Sequence, residues 1–64
     1  MEEKTYSVWI RNKATGNVVK VLLENVTHED AYTIVNEYNK GYYRGEELRK
    51  EYPIENNVIE TWKI

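Results

Sequence analysis

The stretch Asn25-Val26-Thr27-His28-Glu29-Asp30-Ala31-Tyr32-Thr33-Ile34-Val35-Asn36-Glu37-Tyr38-Asn39-Lys40-Gly41 reads as one amphipathic helix between two blocks of strand sequence, and it decides the fold. Thr27 is placed to cap the amide of Asp30, and His28, Glu29 and Asp30 fill the first turn, where negative charge suits the helix dipole. Val26 before the cap and Ala31 at the fourth helical position fit a hydrophobic staple. Ala31, Ile34, Val35 and Tyr38 recur at helical spacing as the buried stripe, and Asn39-Lys40-Gly41 supplies the stop. The expected helix is eleven to thirteen residues long.

Upstream, Thr5-Tyr6-Ser7-Val8-Trp9-Ile10-Arg11 is β-branched and aromatic with period two, so residues 5–11 are expected as strand one. Asn12-Lys13-Ala14-Thr15-Gly16-Asn17 gathers turn residues, and Gly16 suits the positive φ of a short hairpin loop. Val18-Val19-Lys20-Val21-Leu22-Leu23 follows as strand two, apolar on both faces except at Lys20. Downstream, Tyr42-Tyr43-Arg44-Gly45 is a loop, and residues 46–51 are expected as a short second helix with Glu46 and Lys50 four apart and Pro53 ending it. Val58-Ile59-Glu60-Thr61-Trp62-Lys63-Ile64 is the third strand. The order β-β-α-β predicts a small α+β domain spanning residues 1–64. Its three-stranded antiparallel sheet, in the order 2-1-3, packs on one helix.

One helix covers one face of such a sheet and leaves the other open. Turning Val8, Ile10, Val19, Val21 and Leu23 toward the helix leaves Ser7, Trp9, Arg11, Val18, Lys20 and Leu22 outside. Strand three has two registers. Exposing Glu60 with Trp62 is favoured, because an unpaired buried carboxylate costs several kcal/mol while Thr61 and the stem of Lys63 tolerate a core edge. Trp9 and Trp62 then share one surface rimmed by Arg11, Lys20 and Glu60. The competing reading makes the two tryptophans a second small core, packed on each other or beneath Tyr42 and Tyr43.

Six tyrosines and two tryptophans without phenylalanine suit surfaces that are apolar on one side and wet on the other. The candidate partner-binding residues are therefore Trp9, Arg11, Lys20 and Trp62, extended by Tyr42, Tyr43 and Arg44. No catalytic or cofactor constellation is legible. His28 is the single histidine and stands beside Glu29 and Asp30 with no metal-ligand spacing, there is no cysteine, and Ser7 is the single serine. The glycines at 16, 41 and 45 form no phosphate loop, so no enzyme activity, metal or cofactor is expected.

Nine basic and eleven acidic residues give a net charge of −2, which disfavours nucleic acid as a partner. The apolar runs are too short to span a bilayer, and Met1-Glu2-Glu3-Lys4 opens without a signal-like apolar stretch, so a cytoplasmic location is the default. The expected function is a small non-enzymatic protein-binding module, a regulator or inhibitor that occludes a partner's surface. Single-stranded nucleic-acid binding by stacking on Trp9 and Trp62, and a structural homodimer, are the alternatives.

Overall fold

The computed structural model describes residues 5–63, so the first four residues and Ile64, the last residue of the expected third strand, lie outside the described residues. The elements are β1 (Tyr6–Asn12), β2 (Val18–Val26), α1 (His28–Lys40), α2 (Arg44–Glu51) and β3 (Asn57–Lys63). The sheet is antiparallel in the order β2-β1-β3. The small α+β fold expected from the periodicity is thus observed, with α2 beginning two residues earlier than expected and β2 running three residues further.

Local chemistry sets these boundaries. The Asn12 side-chain oxygen accepts from the amides of Ala14 and Thr15, at 2.8 and 3.1 Å, and Gly16 follows at φ 75°, which closes the hairpin. Thr27 Oγ1 accepts the Asp30 amide at 3.1 Å to start α1, and Gly41 at φ 76° ends it by donating to the Glu37 carbonyl at 2.8 Å. Arg49, in the last turn of α2, donates from Nε to the Tyr38 carbonyl at 2.7 Å and from one terminal nitrogen to that of Asn39. The C-terminal carbonyls of α1 are therefore met by a cation, as the helix dipole favours.

The core lies between α1 and the sheet. Val8 and Ile10 of β1, Ile59 of β3, and Ala31, Ile34 and Tyr38 of α1 are buried together. Tyr38 is fully buried, and its hydroxyl donates to the Tyr52 carbonyl at 2.6 Å, tying the end of α2 to α1. Tyr38→Phe keeps the ring and leaves that carbonyl without its donor. Urea unfolding is expected to show a loss of about 1–2 kcal/mol, and an unchanged midpoint would mean that water replaces the hydroxyl without penalty.

The pairing of β1 with β3 is regular: Ser7 faces Trp62, Trp9 faces Glu60, Ile10 faces Ile59 and Arg11 faces Val58. The pairing with β2 slips three times, so that Tyr6 faces Val26, Val8 faces Leu23, Trp9 faces Val21, Ile10 faces Lys20 and Arg11 faces Val18. Each slip inserts an extra β2 residue, and one falls beside Asn25 at φ 54°. The strict alternation expected for this strand fails as a result. Val19 and Val21 do not enter the core but are 42% and 45% exposed, and Leu22 joins Leu23 in packing against it. The physical reason is position: β2 is an edge strand, and α1 lies mainly over β1 and β3.

Candidate functional site

Among the described residues, no helix packs on the sheet face turned away from α1, in a molecule whose smallest Cα extent is 12 Å. Cross-strand partners share a face, so Trp9, Arg11, Glu60, Trp62, Val58, Val21 and Val18 belong to it. Trp9, Arg11, Glu60 and Trp62 line a shallow depression of about 300 Å3. Trp62 is 66% exposed, whereas Ser7 opposite it is buried.

A single carboxylate organises this face. Glu60 Oε1 accepts from Trp9 Nε1 at 2.8 Å and from Arg11 Nε at 2.8 Å, and Arg11 also donates to the Gly16 carbonyl. The Arg11 guanidinium, and next the Trp9 indole N–H, hold the Glu60 carboxyl below its ordinary value against the opposing effect of desolvation. The face therefore presents an ionised, internally paired Glu60, a Trp9 ring pinned at its nitrogen, and an indole at Trp62 on which the same carboxylate makes no hydrogen bond.

Trp9, Arg11 and Trp62 are brought together with Glu60. The remaining candidates are not. Lys20 stands opposite the core residue Ile10 and does not line the depression, because the β2 bulges rotate it away from the Trp9 side. Tyr42, Tyr43 and Arg44 lie at the α1–α2 junction on the helix layer, where Arg44 engages Glu37 of α1. They do not extend the open face, since α2 packs on α1, which covers the opposite side of the sheet. The Tyr42 and Tyr43 rings rest on each other, with centroids 4.9 Å apart, and Tyr43 is 78% exposed at a strained φ of 52°. His28 stacks on Tyr32 at 5.2 Å and meets the edge of Tyr6 at 5.1 Å.

Val21 is the member of the face that the sequence reading placed on the wrong side; its only sequence signal is the doubled apolar run of β2, which is compatible with either face. No helix among the described residues is long and apolar enough to cross a membrane. Fold and face together define a two-layer α+β domain with one aromatic sheet surface whose Arg11 and Glu60 pair with each other. Comparison with protein-family models, curated proteins and solved structures returned no match, so the geometry alone carries the functional argument.

Proposed function

We propose that this chain is a small protein-binding module that acts by occluding a partner's surface through its open sheet face, with no chemistry of its own. The observation that carries this reading is Trp62, an indole two-thirds exposed on a regular strand, next to a Trp9–Glu60–Arg11 network that is already hydrogen-bonded. Large aromatics on rigid elements anchor in partner pockets with little loss of entropy, and paired charges around them set register. Val18, Val21 and Val58, each more than a third exposed, continue the apolar surface across all three strands.

Stacking of single-stranded nucleic acid on the same indoles needs free cations beside them. Arg11 is held by Glu60, Lys20 and Arg44 stand elsewhere, and Lys63, opposite Tyr6, alternates with Trp62 to the other side of β3, so a protein partner is the better-supported reading.

The test compares affinity capture on wild type, Trp62→Ala and Tyr43→Ala, each with and without nuclease, alongside sedimentation of the isolated chain. Trp62→Ala is expected to change stability by less than about 1 kcal/mol, because the side chain is largely solvated, and to lose the captured protein. Tyr43→Ala should retain it. Equal capture by all three variants would remove the site assignment. A nuclease-sensitive yield would favour nucleic acid, and a dimer broken by Trp62→Ala would make the face a seam between copies.

A further inference from the structure

A second surface lies on the other side of the sheet. α1 touches β2 least of the three strands, and α2 packs on α1 without closing onto β2. The gap is a groove of about 450 Å3, within the range of ligand pockets at roughly 300–1,000 Å3. Leu22 and Leu23 of β2, Ile34 of α1 and Leu48 of α2 form its apolar floor, and the bulge in β2 is what turns two consecutive leucines toward it.

The rim is charged, and its balance is acidic. Arg44 lines the groove but donates Nε and one of its two terminal nitrogens to Glu37. Glu47 and Glu51 also line it, four residues apart on α2, so two like charges share one helix face at mutual expense. Lys50 reaches Glu47 at 3.2 Å across open surface, where both side chains are about two-thirds exposed or more and the attraction is screened. An aliphatic group entering this groove meets leucine and isoleucine, and a cation beside it relieves the Glu47–Glu51 repulsion. An acyl chain with a carboxylate head meets that repulsion instead.

We propose that the groove between β2 and α2 receives a segment of another protein that carries aliphatic side chains next to lysine or arginine. The site is separate from the Trp9–Trp62 face, so the two readings stand or fall independently.

The test titrates two end-capped peptides into the 64-residue chain, labelled for amide and methyl NMR. One has the core Lys-Leu-Leu-Lys and the other Glu-Leu-Leu-Glu, each flanked by glycine. The basic peptide is expected to shift the Leu22, Leu23 and Leu48 methyls saturably and to bind about tenfold more tightly than the acidic one. The double variant Glu47→Lys with Glu51→Lys, which changes only exposed side chains, should reverse that order, while Trp62→Ala should leave it intact. The proposal is overturned by equal affinities, by an absence of saturable groove shifts, or by shifts confined to Trp9 and Trp62. Methyl shifts that depend on the concentration of the chain alone would also overturn it, making the occupant a second copy. Should the double variant fail to fold, the comparison of the two peptides on wild type decides alone.

Discussion

Gly45→Ala is expected to lower stability by about 3 kcal/mol or more, enough to shift the thermal midpoint of a domain this small by more than about 10 °C. Gly45 is the second residue of α2 and is buried against α1. A Cβ at this position would lie 1.8 Å from the Glu37 carbonyl oxygen, 2.2 Å from its carbon and 2.6 Å from the Tyr38 nitrogen. These are backbone atoms of a helix whose other face carries the core, so no side-chain rotation relieves the overlap; α2 must move off α1. That motion also pulls Leu48 from the core edge and Arg49 from the carbonyls that it caps. Thermal unfolding followed by far-ultraviolet circular dichroism measures the effect. Gly16→Ala is the control: it sits in open space and carries only the strain of φ 75°, so it should cost about 1 kcal/mol. If Gly45→Ala costs no more than Gly16→Ala, the close approach of the two helices is not rigid.

Glu37 is the second point of failure. Its carboxylate is buried on α1, and Oε1 accepts both the Arg44 backbone N–H at 3.1 Å and Arg44 Nε–H at 2.9 Å, while Oε2 accepts from the terminal nitrogen at 3.2 Å. α2 has no side-chain cap of its own, because its N-cap residue is Tyr43, so Glu37 caps it from the neighbouring helix. Glu37→Ala removes the cap and leaves the guanidinium unpaired. The expected loss is about 2–3 kcal/mol, below that of a fully buried pair because the Arg44 side chain is half exposed.

The same site predicts a pH dependence. The side-chain hydrogen bond from Arg44 holds the Glu37 carboxyl below its ordinary value of 4.5, with burial acting against it. A carboxylate whose folded-state pKa is depressed contributes stability that is complete above the unfolded value and disappears as the pH falls through the folded one. Stability should therefore be flat near neutrality and decline below about pH 4.5, and Glu37→Gln should make that decline shallower while lowering the neutral plateau. Glu60 titrates in the same direction, held down first by Arg11 and then by Trp9, so part of the acid decline survives in Glu37→Gln. Urea midpoints measured from pH 7 to pH 3 distinguish the two. An unaltered acid slope in Glu37→Gln would show that the Arg44 pair contributes nothing to folding.

Much of this architecture was legible in the residues. Thr27, Gly41 and the Ala31–Ile34–Tyr38 stripe specify α1 by local chemistry, and the alternation of β1 and β3 brings Trp9, Glu60 and Trp62 to one face. Glu37 lies three residues after Ile34 and next to Tyr38, and it is buried, a place that a charged side chain does not announce until Arg44 of α2 is seen to pair with it. Gly45 gave no sign of its role, since a glycine four residues after Gly41 reads as loop until a second helix is seen to lie against the first.

The chain by itself determined the order of its elements and the cap and stop of α1, because these depend on hydrogen-bond chemistry and periodicity within a few residues. Periodicity left β3 two registers, and the pairing that sets Glu60 beside Trp9 and Arg11 is a contact between distant strands. Tertiary structure alone decided the rest. Strand β2 has apolar residues at nearly every position, so its faces are set by where three bulges fall and by α1 sitting over the other two strands. The same placement moved Lys20 away from the Trp9 face, sent Tyr42, Tyr43 and Arg44 to the helix layer, and opened the groove over Leu22 and Leu23. Such features depend on which surfaces are left after packing, and no local preference of the residues encodes that remainder.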